Sequence, residues 1–434
     1  MLNFRLAWAS DLTRRARVVL CVGMKTLWTR AAHWAGYDGA RANVLDVGRG
    51  IAIVSVIYGH ALAPWFMSAG DSFSEGAFLQ WKFGAAFMMV FFFFLSGVGW
   101  RESKSLATTM RQALALVILT WIASALFDVL RLVATLGGFA QALGIAPLDP
   151  VRFVRGLARM AVFGDQYSLT ALWFLVASAV VRVLGALAIR VGPSALIALA
   201  VMLLALTLVA TDLGWRNIYQ LNLIGVAFAA FVGGHFARDV VHAIERKPAA
   251  AYALLLICAA GAAGTFHLND GCRWNITAQC GQAWLGDRFG VSMVIGQFGN
   301  LPMFFTTAIF GIGFALALSV LLARYGAIAG AKLETWGRNS LNLLIVNSLF
   351  LHLLNPQIER WVMPRIDGEG PIFFIALLTA TMAANLWAVH ALARPLHKLN
   401  SFSTARAGDV VTLVRRLGAM IAARRPVRVS QGHE

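Results

Sequence analysis

The stretch LDVGRGIAIVSVIYGHALAPWFMS, residues 45–68, is long and apolar enough to cross a bilayer as a helix. It nevertheless carries Asp46, Arg49 and His60, and ionisable side chains inside a membrane span are costly and usually mark a functional site. Arg49 and His60 lie about 20° apart in azimuth on such a helix and roughly 16 Å apart along its axis. The stretch therefore predicts a membrane helix with a cation and an imidazole on one face.

The composition of the whole chain is also that of a membrane protein. Hydrophobic residues make up 59% of the 434 residues and charged residues 13%, with 14 Trp and 29 Phe. A water-soluble domain would have to leave many of these side chains on its surface, so we predict an all-α polytopic membrane protein. Apolar windows of about 20 residues give ten candidate transmembrane helices, at residues 45–67, 83–100, 111–136, 169–190, 195–211, 217–237, 249–266, 291–322, 338–355 and 371–393.

The distribution of Lys and Arg predicts that both termini are cytoplasmic. With the N-terminus inside, only about ten of the 37 basic residues fall in exterior segments, as expected if positive loops stay in the cytoplasm. The net charge of +17 then reflects topology and contact with anionic membrane lipids. It gives no reason to predict nucleic-acid binding.

This topology divides the chain into three segments. Residues 1–44 form a basic cytoplasmic segment expected at the membrane interface, residues 45–395 the transmembrane domain, and residues 396–434 a basic cytoplasmic tail. Within the tail, residues 405–428 mix apolar and arginine side chains in the pattern of an amphipathic helix. Anchoring to the membrane surface is the ordinary role of such a helix, and binding of a specific partner is the alternative.

Two cysteines, Cys272 and Cys280, fall in the predicted exterior segment 267–290. An oxidising compartment permits a disulfide there, so we predict that the two are bonded. A metal site is not expected, because His267 is the only nearby nitrogen ligand in this segment.

A second exterior segment, residues 138–168, breaks the positive-inside trend. Arg152, Arg155 and Arg159 follow i, i+3, i+7 spacing, which places them on one face of a helix. One interpretation is a surface that binds a polyanionic or sugar-bearing acceptor. The alternative, and the more frequent one, is contact between an interfacial helix and lipid headgroups.

Four segments in order carry a family resemblance. The first-span sequence LDVGRGIAIVSVIYGH, with ten residues between Arg49 and His60, is followed by FFFFLSGVGW (91–100), ALWFL (171–175) and WGRNSLNLLIVNSLFLH (336–352). Together they resemble motifs of the integral-membrane acyltransferase-3 family, whose members O-acylate cell-envelope and secreted carbohydrates. The Arg-x10-His pattern is the most specific. Relatives often have His where this chain has Asn347, with His352 further along.

The residues of the first span suit acyl transfer. Attack of a sugar hydroxyl on a thioester needs a base, and the imidazole of His60 is suited to accept the proton. The resemblance implies the same role. Arg49 is expected to bind the phosphate or carbonyl region of an acyl-CoA donor. Asp46 would orient the guanidinium, or else serve as a helix-start carboxylate. Alternatively, His60 is a buried histidine that is hydrogen-bonded to a neighbouring span, and Arg49 serves only to keep its end of the helix on the cytoplasmic side.

Other polar residues in the spans are weaker candidates. Asp128 and Arg131 lie three residues apart and either neutralise each other or line the acceptor path. The candidate cavity-lining residues, each with a packing or interfacial alternative, are Ser96, Trp173, Asn339, Ser340 and Asn347.

We predict from these features a multi-pass O-acyltransferase of the bacterial cytoplasmic (inner) membrane. It would move an acetyl or other short acyl group from acetyl-CoA or another acyl-CoA to a hydroxyl of an exopolysaccharide, lipid-linked oligosaccharide or periplasmic glucan, with membrane lipids around it. No tightly bound cofactor is expected. A glycan or lipid flippase is an alternative from a different class, since buried charges also suit alternating access. A transmembrane N-acyltransferase acting on an amino sugar is another.

Overall fold

The computed structural model describes residues 42–67, 74–101, 103, 105–164, 169–215, 217–269, 290–363 and 371–423. Helices dominate these residues, and the β-pairing found among them is an antiparallel bridge between Ser292 and Gln297. The predicted disulfide of Cys272 and Cys280 and nearly all of the basic segment 1–44 lie outside the described residues.

The helices, labelled in chain order, confirm an all-α membrane protein. They are α1 (Val44–Met67), α2 (Glu75–Ala85), α3 (Met88–Val98), α4 (Leu106–Leu136), α5 (Pro150–Phe163), α6 (Trp173–Val191), α7 (Pro193–Asp212), α8 (Leu221–Phe236), α9 (Arg238–Arg246), α10 (Pro248–Thr265), α11 (Leu301–Tyr325), α12 (Ala327–Arg338), α13 (Ser340–Leu353), α14 (Pro371–Ala391) and α15 (Ala393–Ala423). Nine segments of the described chain are long and apolar enough to cross a membrane, or ten if α8 and α9, bent by 54°, count as one span.

The starts of two predicted spans differ from those in the structure by eight and ten residues. The span predicted at 83–100 begins at Glu75 and is divided into α2 and α3, because the backbone of Phe87 departs from helical geometry. The span predicted at 291–322 begins only at Leu301. Gly296 and Gly299 adopt positive φ values of 70° and 61°, which end regular structure before Asn300 caps α11.

The C-terminal tail forms a longer helix than the sequence pattern indicates. The prediction began it at residue 405, whereas α15 begins at Ala393 and packs along α4. Asn400 Nδ2 also donates a 2.7 Å hydrogen bond to Asn342 Oδ1 of α13. The polar residues between 393 and 404 hide this first part of the helix from a search for apolar periodicity.

Helix α1 lies at the centre of the bundle and contacts α2, α3, α11, α12, α13 and α14. Its first turn is capped by Asn43, whose Oδ1 accepts hydrogen bonds from the N–H groups of Leu45 and Asp46. Glycines permit the closest approach. A Cβ at Gly50 would overlap the backbone oxygen of Leu333, and one at Gly337 would overlap that of Asp46. Small residues thus fix α12 against the N-terminal part of α1.

Helices α3 and α8 make a similar backbone contact, which gives a test of the packing. A Cβ at Gly234 would overlap the backbone oxygen of Phe94, whereas a Cβ at the neighbouring Gly233 meets nothing within 4 Å. We expect Gly234→Ala to destabilise the folded protein by roughly 1–3 kcal/mol and Gly233→Ala to have little effect. Thermal unfolding of the two purified variants in the same detergent measures the difference. Equal melting temperatures would contradict this packing.

Candidate active site

The backbone of His60 is secured by a side chain from the far end of the sequence. In a helix the carbonyl of residue 60 would accept from the N–H of residue 64, but Pro64 has no N–H. Asn355, which is 4% exposed, donates from Nδ2 to the His60 carbonyl oxygen at 2.8 Å. This bond replaces the missing helical one, as a membrane interior requires.

The pairing of Asn355 with Pro64 predicts a double-mutant result. Asn355→Leu leaves the His60 carbonyl without its donor, which should cost about 1–3 kcal/mol of stability. In a Pro64→Ala background the helical N–H is restored, so the same Asn355→Leu change should cost much less. Unfolding of the four proteins in one detergent measures the coupling. Equal costs in the two backgrounds would show that the Asn355 bond does not serve this carbonyl.

The imidazole of His60 contacts a pair of buried asparagines. Its Nδ1 lies 2.5 Å from Nδ2 of Asn347 on α13, and Asn347 Oδ1 accepts a 3.1 Å hydrogen bond from Nδ2 of Asn385 on α14. The two asparagines are 1% and 2% exposed. Side chains of three helices thus form one hydrogen-bonded series that ends at the His60 ring. His60 is held both at its carbonyl and at one ring nitrogen.

A cavity of about 810 Å³ opens beside His60. Its polar lining includes His60, His352, Thr170 and Glu359. His352 Nε2 lies 3.3 Å from Thr170 Oγ1, which links α13 to the turn that precedes α6. A few polar groups that converge on an otherwise apolar cleft are typical of a binding site for an organic ligand.

Aromatic side chains form much of the cavity wall. The ring centroids of Phe66 and Trp81 lie 5.2 Å apart, and Phe78 stacks on Trp81 with centroids 6.0 Å apart. Trp173, predicted from the sequence as a lining residue, is also part of the wall. Flat rings of this kind provide extended apolar surface for a ligand that also carries polar groups.

Arg49 occupies the other end of the α1 face. Its Nη1 lies 2.6 Å from Asp46 Oδ1, and Asp46 Oδ2 lies 3.5 Å from Nε of Arg338 on α12. The Arg49 side chain remains 35% exposed. The contact with Asp46 is therefore present as the sequence suggested, while its role in donor binding stays a prediction.

A second arginine lies near Arg49. Arg182, partly buried on α6, is close enough for the two positive charges to interact. Nη2 of Arg49 also lies beside Gly99, at the end of α3, where a Cβ would be 3.4 Å from it. Like charges repel each other, so an anionic ligand that interacts with both guanidinium groups would be stabilised.

The other candidate residues lie outside the lining of this cavity. Asp128 and Arg131 form a buried ion pair at 3.3 Å, and Arg131 also donates to the carbonyl of Ala146. Ser96 donates to Phe92 O within its own helix, and Asn339 is exposed beside Ser340 at the start of α13. The arginines of α5 also lie outside the cavity lining, with Arg152 and Arg155 exposed and Arg159 partly buried. Their proposed ligand roles stay predictions.

The sequence interpretation did not include three residues that contact or neighbour His60. These residues are Asn355, Asn385 and Glu359. A signal existed for Asn385, which is the only Asn, Gln or charged residue in the apolar helix 371–389. A strongly polar side chain in such a helix usually has a partner on another helix. The partner itself could not be identified from the sequence.

Comparison with known proteins supports an enzymatic function for this chain. A family model described as an acyltransferase domain matches residues 43–390, well over half of the chain, and spans Arg49, the His60 cavity and both buried asparagines. Searches of curated proteins and of solved structures returned no match. An acyltransferase domain over the whole site favours group transfer over transport.

Proposed function

The chain belongs to the membrane acyltransferase-3 family, and from this premise we propose that it transfers a short acyl group from acyl-CoA to a sugar hydroxyl at the bacterial inner membrane. The observation that carries the proposal is His60, held by Asn347 and Asn355 in the wall of the cavity. A fixed imidazole beside a ligand-sized space is what proton transfer to a bound substrate requires.

In the proposed reaction the sugar oxygen attacks the thioester carbonyl while His60 accepts the hydroxyl proton. The new C–O bond forms, the C–S bond breaks, and the proton held by His60 neutralises the departing thiolate. The products are an O-acyl sugar and coenzyme A. A base positioned in this way typically accelerates such a step by about 10²–10⁴-fold.

Arg49 would bind the donor from the cytoplasmic side. The donor carries phosphates at one end and its thioester at the end of a long arm, and the roughly 16 Å offset along α1 is of comparable length. The neighbouring charge of Arg182 supports this assignment, because two cations suit a group of several negative charges.

The aromatic wall supports a carbohydrate acceptor. Trp81 and Phe78 stack on each other in the lining, and the apolar face of a sugar ring packs well on such rings while its hydroxyls remain available for hydrogen bonds. An exopolysaccharide, a lipid-linked oligosaccharide and a periplasmic glucan all present rings of this kind. The acyl group is proposed to be acetyl or a short relative.

The test is mass spectrometry of envelope and secreted glycans from cells that lack the protein and from cells complemented with it. We expect an alkali-labile acyl ester to disappear from one glycan and to return on complementation. The purified protein in vesicles should release free coenzyme A from acetyl-CoA when that glycan is present. An unchanged ester profile, with intact glycan or lipid accumulating on one membrane side, would contradict acyl transfer and indicate transport.

A further inference from the structure

The side chain that contacts the His60 ring is itself hydrogen-bonded to a second buried asparagine. His60 on α1 contacts Asn347 on α13, and Asn347 in turn contacts Asn385 on α14. We propose that Asn385 is a positioning residue, which through the Asn347 carboxamide fixes the orientation and the proton position of the His60 ring. The proposal rests on the function proposed above.

The first step concerns what Asn347 can present to the ring. A carboxamide has an oxygen that accepts hydrogen bonds and an NH2 group that donates them, and rotation by 180° exchanges the two. A neutral imidazole carries its proton on one nitrogen only. If the NH2 group of Asn347 faces Nδ1, the ring proton lies on Nε2. If the oxygen faces Nδ1, that nitrogen carries the proton and Nε2 has a free lone pair.

The second step is that Asn385 couples the orientation of the Asn347 carboxamide to its own. In the structure Asn385 donates to the oxygen of Asn347, which turns the NH2 group of Asn347 toward the ring. Rotation of both carboxamides keeps both contacts and reverses their direction. Asn385 then accepts from Asn347, and Asn347 accepts from His60 Nδ1. Base catalysis through Nε2 requires this reversed direction.

The surroundings of Asn385 permit the reversal. Its Oδ1 is buried and accepts no hydrogen bond within the described part of the chain, so no other donor competes for it. Asn347 is almost fully buried as well, and water cannot readily replace a lost partner there. Without Asn385, the Asn347 amide could rotate on its own, and the paired arrangement that favours one ring tautomer would be lost.

The experiment compares two substitutions at Asn385 in the full-length protein in vesicles, with acetyl-CoA as donor and the glycan identified above as acceptor. Asn385→Asp can only accept from Asn347 when it is ionised, so it enforces the direction that leaves Nε2 free. We expect it to retain kcat within about threefold, whereas Asn385→Leu should lower kcat about tenfold or more with the donor KM unchanged. Thr381→Val is the matched control, because Thr381 is buried one turn earlier on α14 and its hydroxyl donates to the Leu377 carbonyl of its own helix.

The outcomes separate this inference from the proposed function. Normal kcat in Asn385→Leu, at a normal melting temperature, would overturn the positioning role, as would an Asn385→Asp protein that is as inactive as Asn385→Leu. Equal loss of activity in Thr381→Val would also overturn it, since a general packing defect would then suffice. Wild-type protein without transferase activity, or a fully active His60→Ala protein, would instead overturn the proposed function itself.

Discussion

His60→Ala is expected to abolish acyl transfer while the protein is still made and inserted. Loss of the base should reduce kcat by about 10²–10⁴-fold. The side chain lines a cavity, so its removal enlarges a space that already exists and need not disturb the surrounding helices. Release of coenzyme A by protein in vesicles, and the ester content of the glycan in complemented cells, both measure the effect.

His390→Ala serves as the control for this experiment. His390 is exposed near the end of α14, five residues beyond Asn385 and outside the cavity lining, and its replacement is expected to leave wild-type activity. His60→Gln adds a variant with similar side-chain volume and no basic nitrogen, and it should be as inactive as His60→Ala. Substantial ester formation by either His60 variant, at equal abundance, would show that the proton has another acceptor.

Replacement of Arg49 should act on the donor instead. Arg49→Ala removes a guanidinium that is partly exposed and already oriented by Asp46, and we expect the KM for acyl-CoA to rise by about 10- to 100-fold. Arg49→Lys should recover only part of this loss, because an ammonium group lacks the planar pair of donors. Initial rates measured over a range of donor concentrations separate KM from kcat.

Arg406→Ala is the matched control for Arg49. Arg406 is exposed on α15 and pairs with Asp409 outside the cavity, so its loss should leave both constants unchanged. A normal donor KM in Arg49→Ala would place the donor elsewhere in the protein. A similar rise in KM in Arg406→Ala would indicate that the donor responds to surface charge in general.

The sequence predicted the helices well where apolar composition decides and less well where backbone geometry does. The spans at α4, α6, α7, α10 and α14 were found within a few residues, because burial in lipid demands an unbroken apolar run. The start of α11 was misplaced by ten residues, since 291–300 is apolar but has glycines with positive φ. Hydropathy does not report that geometry.

The site residues show the same difference between local and tertiary information. Arg49, Asp46 and His60 were all identified from the sequence, because helical periodicity is local and places them on α1 without knowledge of any neighbour. Ser96 and Asn339 were weaker candidates in the sequence, and each side chain donates to a carbonyl four residues earlier. A polar residue in a span indicates that a partner exists and does not say where.

The sequence by itself therefore determined a membrane helix with a cation and an imidazole at fixed spacing, since that information lies within a few helical turns. Only the tertiary structure decided what holds the imidazole. Asn347 and Asn355 are 287 and 295 residues from His60 in the chain. They reach it because α13 and the short helix that follows it, Asn355–Gln357, pack on α1, whose other neighbours are set by backbone contacts such as Gly50 with Leu333. Such contacts depend on shape complementarity between distant helices, which no local pattern of residues encodes.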